Sequence, residues 1–189
     1  MNHLLILLST ILIVGLSAPA YAQTISDHIV INEVDTNPYG DDSESISEWV
    51  ELFNPTDSDV DISGWQIAST TVLKKTLTVP DGIVISAGDY LTFVHEKIWF
   101  TDTAESVELK NSDGLLIDKT REIYDLDNDS KTWQRTFDGY STWKFVSGTA
   151  GSSNGQLISD ETSHDVIVTV SSNKSSYVFD DFKIYDFNK

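Results

Sequence analysis

The sequence predicts an all-β fold, a sandwich or barrel of short strands. Three observations carry this. Apolar residues alternate with period two in short runs, turn signals separate the runs, and no segment between residues 28 and 155 sustains a helical period. Residues 104–109 could make one helical turn at most.

The clearest strand is Glu48-Trp49-Val50-Glu51-Leu52-Phe53. Val50 and Leu52 point one way and Glu51 the other, as on a half-buried strand. Asn54-Pro55 ends it, because proline cannot donate to a ladder. Val60 and Ile62 resume the apolar pattern, and Gly64-Trp65 closes that segment. Upstream, residues 28–34 read as a first strand and residues 35–45 as a polar, turn-rich loop. Downstream, strands are expected at residues 76–79, 83–85, 90–94, 107–109 and 115–118. Pro80-Asp81-Gly82 and Ala87-Gly88-Asp89 are turns between them, and Asn111-Ser112-Asp113-Gly114 is the clearest hairpin turn. Trp133 and Trp143-Lys144-Phe145 mark the closing strands, and residues 148–155 end the domain in small, flexible residues.

Composition sets further bounds. The 189 residues contain no cysteine, so burial alone must hold the core, and five Trp, seven Tyr and eight Phe supply it. A net charge of −18 repels phosphate backbones and argues against nucleic-acid binding. It also suits a solubilising surface or one that takes divalent cations.

The N-terminus reads as an export signal. An apolar run spans residues 4–16, and Ala20 and Ala22 place small residues before a cleavage point after Ala22. The run is short for a membrane span of about 20 residues. Its n-region offers His3 but no Lys or Arg, so an uncleaved anchor is the alternative. The expected division is a signal peptide over residues 1–22, a main domain over 23–155, a linker over 156–165 and a β-strand extension over 166–189. In the last of these Val166, Val168 and Val170 alternate with Ile167 and Thr169. Too short to close a core alone, this strand must pair with the main domain, pair with another chain or stay loose. It is the natural candidate to cap or be donated to a sheet edge.

Four stretches carry more than local pattern: Ile31-Asn32-Glu33-Val34, Glu48-Trp49-Val50-Glu51-Leu52-Phe53-Asn54, Ile62-Ser63-Gly64-Trp65, and Pro80-Asp81-Gly82 with Ile85-Ser86-Ala87-Gly88-Asp89-Tyr90. Together they resemble the lamin-tail domain family. Thr132-Trp133-Gln134-Arg135, Asp138-Gly139 and Trp143-Lys144-Phe145 resemble the C-terminal half of its prokaryotic, secreted or cell-surface members. The resemblance covers roughly residues 28–155 and implies an immunoglobulin-like β-sandwich. The expected core residues are Val34, Val50, Leu52, Trp65, Ile85, Trp133 and Trp143. With no cysteine pair, aromatic burial is expected to join the sheets. Residues 168–177 also resemble the first strands of β-sandwich repeats in archaeal surface proteins, so the extension would be the truncated start of a second repeat.

Two acidic loops are candidate metal sites. Asp125, Asp127 and Asp129 alternate along one loop and could converge on Ca²⁺, which takes six to eight oxygens. The loop is not an EF-hand, because Ser130 stands where glycine is needed and Thr136 where the last acid is needed. The second cluster is Asp35, Asp41, Asp42 and Glu44. A solvated polar loop is the ordinary reading of both. Ca²⁺ is the only cofactor the residues suggest. Asn128 and Asn173 head glycosylation sequons, and a glycan on Asn128 would compete with metal at Asp127 and Asp129.

No catalytic set stands out. His3, His28, His95 and His164 are scattered, with no HExxH and no G-x-S-x-G. Glu48 and Glu51, at i and i+3 on a strand, point to opposite faces and read as scaffold and surface. The expected function is therefore non-catalytic: an exported module for protein interaction, adhesion or assembly, meeting other cell-surface proteins or glycans. Two alternatives are a calcium-binding extracellular domain and an accessory to a secreted hydrolase or nuclease.

Overall fold

The strands form where apolar alternation predicts them. The computed structural model describes residues 25–40, 48–71, 73–95, 98–155, 175–179 and 182–186, and every regular element among them is a strand. In chain order these are β1 (Val30–Asp35), β2 (Glu48–Phe53), β3 (Val60–Asp61), β4 (Gln66–Ser69), β5 (Thr76–Thr78), β6 (Val84–Ile85) and β7 (Tyr90–His95). Then follow β8 (Val107–Lys110), β9 (Leu116–Lys119), β10 (Lys131–Arg135), β11 (Trp143–Ser147), β12 (Ser175–Val178) and β13 (Phe182–Asp186). Pairing between them is antiparallel throughout and builds a seven-stranded sheet in the order β11-β10-β1-β2-β7-β13-β12. A four-stranded sheet, β5-β4-β8-β9, and the short β3-β6 pair face it.

The core lies between the sheets. Two cross-strand rows of the larger sheet feed it: Ile31-Leu52-Leu91, and Val34-Val50-Phe93-Ile184. Ile67, Leu77, Val107 and Leu109 answer from the smaller sheet, and Ile62 and Ile85 from the β3-β6 end. A β-bulge in β1 between Ile31 and Glu33 sets the phase. Without it the two residues would share a face. With it Ile31 stays in the core while Glu33 joins Glu51 on the opposite face.

Val34, Val50, Leu52 and Ile85 are core residues, as expected. Trp65, Trp133 and Trp143 are not fully buried; they are half-buried and pack against the core margin. The reason is sheet width. β9, the edge of the smaller sheet, packs on β1, so β10 and β11 overhang it. There Arg121 lies over Trp133 and Arg135 over Trp143, covering the indoles with cations. Trp65 sits at a turn ahead of β4. Among the described residues the large aromatics that are fully buried are Phe93, Trp99 and Phe100, and the last two come from an irregular stretch.

The β8-β9 hairpin turns through Asn111-Ser112-Asp113-Gly114, with Gly114 at φ 79°, where a side chain would be strained. The β12-β13 hairpin extends the main sheet, with β13 pairing to β7. The expected edge strand at Val166–Val170 and the signal peptide lie outside the described residues.

Asn54 does more than end β2. Its fully buried amide donates to the carbonyls of Ser58, Ile85 and Ser86, and its Oδ1 accepts from the Thr56 N–H and hydroxyl. Asn54→Ala would leave these groups short of partners. The expected loss is roughly 1–3 kcal/mol in urea unfolding, and a change below the scatter of surface substitutions would contradict it.

Candidate functional site

Two polar assemblies stand out, one inside the larger sheet's outer layer and one where two loops meet. The first begins with a row across the sheet: Gln134, Glu33, Glu51 and Thr92 are successive cross-strand neighbours. All four are buried. The segment after β11 covers them. Thr149 donates its N–H (2.8 Å) and its hydroxyl (2.7 Å) to the Glu33 carboxylate, and Thr132 donates its hydroxyl at 2.6 Å. The Gly151 N–H donates to Glu51 Oε2 at 2.6 Å, and Asn32, in the bulge, donates Nδ2 to Glu51 Oε1 and to Asp138 Oδ1. Asp138 also accepts from the Tyr90 hydroxyl at 2.7 Å and the Asn154 N–H at 3.0 Å. Gly139, at φ 74°, gives this corner its shape, since a Cβ there would come within 3.0 Å of Ile25 Cγ2.

Burial pushes Glu51 up to about 8, and the Glu33 charge adds to it, against the Gly151 and Asn32 donors. Burial also raises Glu33, against its Thr132 and Thr149 donors. Two raised carboxyls side by side suggest acid–base chemistry. Here both residues have no exposed surface, and their oxygens serve to lock the covering segment onto the sheet. Of the expectation that Glu48 and Glu51 are scaffold and surface, the surface part is thus corrected. Both are buried, on opposite faces as strand geometry requires. Glu48 Oε2 accepts from the backbone N–H of Trp99 and, at 2.8 Å, from that of Phe100, which seats these aromatics in the core. Glu105 plays a similar part, accepting from the N–H groups of Thr70, Thr101 and Ser106 and the hydroxyl of Ser69.

The second assembly joins the two candidate metal loops. Asp35, at the end of β1, and Asp125 are both buried. Asn37 connects them, donating its N–H to Asp35 Oδ1 (3.2 Å) and its Nδ2 to the Asp125 carbonyl (3.0 Å). Pro38 bridges to Asp129, and Asn128 exchanges hydrogen bonds with Gly40 through both side-chain atoms. Burial pushes Asp35 up to about 7, opposed by the Asn37 N–H and raised further by the Asp125 charge. Burial likewise lifts Asp125 to about 7, with Asp129 adding to it. Asp127 is exposed and Asp129 pairs with Lys131, so the three aspartates of that loop do not converge. Among the described residues no three carboxylate or imidazole groups stand together at metal-ligand spacing. Asp41, Asp42, Glu44 and Asn173 lie outside the described residues. Asn128 is exposed.

Sequence reading missed Glu33, Glu51 and Asp138 as a group. The signal available was acids embedded in alternating apolar strands, together with Asp138-Gly139. What hid them was the bulge, which cannot be read from alternation.

Two facing antiparallel sheets with a shared apolar interior, and no helix among the described residues, define an immunoglobulin-like β-sandwich. The Lamin Tail Domain family model matches residues 22–125. The chain belongs to the lamin-tail domain family. No curated protein matches it.

Proposed function

We propose that the protein is an exported, non-catalytic interaction module that works at the cell surface in adhesion or assembly. The observation that carries this is β12, the last strand of the seven-stranded sheet, whose outer edge has no strand partner among the described residues. Val178 on that edge is 69% exposed, and a groove of mixed lining, Leu77, Phe179 and Phe182 with Thr76, Thr78 and His95, runs beside it toward β5, an edge of the other sheet. An unpaired strand with apolar surface can recruit a strand from a partner, its main-chain groups giving affinity and the groove selectivity. The partners would be other surface proteins or glycans. The acidic surface suits neither DNA nor RNA. Membership of a family of interaction-type domains supports the reading.

Val178→Lys tests it. A lysine on an edge strand blocks pairing, while an exposed change costs stability only within about 0.5 kcal/mol. The wild-type protein should retain surface partners in a pull-down from crosslinked whole cells, and the variant should lose them at an unchanged melting temperature. Equal recovery by both would remove the edge from the account. Export is checked separately. The extracellular product should begin at Gln23, and recovery only from the cell interior would refute it.

A further inference from the structure

The loops at residues 35–40 and 125–129 are 85 or more residues apart in sequence, yet Asn37, Pro38 and Gly40 lace them together. Acidic loops often gather without meaning anything. Here a second observation points to a ligand. Asp125 Oδ1 and Thr36 Oγ1 belong to residues only 1% exposed, and neither atom has a hydrogen-bond partner. Buried polar atoms are almost always paired, and a buried carboxylate oxygen least tolerates being alone. Asn37 donates to both the Asp35 carboxylate and the Asp125 carbonyl, so the two residues lie on either side of it.

We propose that Asp35 and Asp125 form a Ca²⁺ site that fastens the loop after β1 to the segment before β10. The donor set is all oxygen, which selects a hard cation and disfavours zinc. Calcium accepts irregular sets of six to eight oxygens, so main-chain carbonyls and water complete the shell that two carboxylates begin. Magnesium demands a near-ideal octahedron, which such a set does not offer. Asp127 and Asp129 are not ligands in this site; one is exposed and the other is held by Lys131. Unlike the edge-strand function, the site needs no partner protein.

The test compares melting in about 10 mM CaCl₂ with melting at matched ionic strength in NaCl, and again in MgCl₂. For an affinity in the weak extracellular range of about 10⁻⁴–10⁻³ M, calcium should shift the folding equilibrium roughly ten- to a hundredfold. That corresponds to a rise of several degrees in Tm. Asp125→Asn should abolish the rise, Asp35→Asn should weaken or abolish it, and Asp127→Asn should leave it intact. Direct occupancy is read with Tb³⁺, excited through tryptophan. Trp49 hydrogen-bonds Asp35, and the Trp133 indole donates to the Tyr124 carbonyl next to Asp125, so both can sensitise the ion. Emission that calcium displaces in the wild type and that is absent in Asp125→Asn supports the site. No calcium-specific shift, an equal shift with magnesium, or an Asp125→Asn variant that responds like the wild type would overturn it.

Discussion

Arg135→Met is expected to destabilise the fold by roughly 3–5 kcal/mol, the cost of stranding one partner of a buried ion pair. Arg135 on β10 and Asp118 on β9 meet at 2.8 Å with side chains only 5% and 13% exposed. The pair crosses the sandwich, since β10 belongs to the seven-stranded sheet and β9 to the four-stranded one. The guanidinium also donates Nε to the Ile31 carbonyl at 2.7 Å and Nη1 to the Tyr140 carbonyl, and Asp118 accepts the Ile31 N–H at 2.7 Å. One cluster thus fixes β1, β9, β10 and the turn after β10. Methionine fills the volume but supplies none of the donors. Arg135→Lys should recover only part of the loss, because an ammonium cannot fork to three acceptors in these directions. Arg135→Met with Asp118→Leu should recover most of it, since no charge is then left buried. Urea unfolding of the three variants decides this. A single-variant loss below about 1 kcal/mol would mean the pair behaves like a surface one.

That cluster bears on how the sheets are joined in a chain without cysteine. Aromatic burial is the expected joint, and Phe93, Trp99 and Phe100 supply it in the core, while at the margin the ion pair adds a second tie, with Trp143 packed over its cation. Strand positions were legible because alternation is a local signal. Residues 48–53 form β2 as expected, and the 111–114 turn joins β8 to β9. Burial was less legible because it depends on what lies opposite. Trp133 alternates correctly onto the inner face beside Val34, yet the smaller sheet ends before covering it. Trp99 and Phe100 carry no alternation at all. They are placed by Glu48, which lies about fifty residues earlier and takes both backbone N–H groups. The two metal candidates looked separate for the same reason. Only tertiary contact shows that Asn37 ties Asp35 to Asp125 and that the Asp127 side chain faces solvent.

Stability should fall as pH rises from about 5 to 8, the reverse of an ordinary paired carboxylate. The sign follows from proton counting. Glu51 sits at about 8 in the folded chain against 4.5 as its ordinary value. Between those limits the folded state holds a proton that the unfolded state has released, so unfolding is favoured by raising the pH. One such group contributes a slope of about 1.4 kcal/mol per pH unit. The full stabilisation is present below the ordinary value, and a few kcal/mol are gone by about pH 8, beyond which this group adds no further slope. Glu51→Gln separates it from the other acids. The amide cannot ionise, so its curve should be flatter by about one proton across that window. It should also be weaker than wild type near pH 5, because its NH₂ must face the Asn32 or Gly151 donor that a carboxyl oxygen accepts. Near pH 9 the order should close or reverse, since wild-type Glu51 is then charged beside Glu33 and Asp138. Chemical denaturation at pH 5, 7 and 9 in chelator reads all three. Parallel curves for the two proteins would show that Glu51 is ionised throughout. The Gly151 and Asn32 donors would then outweigh burial, and the segment over the sheet would be held by charge rather than by a shared proton.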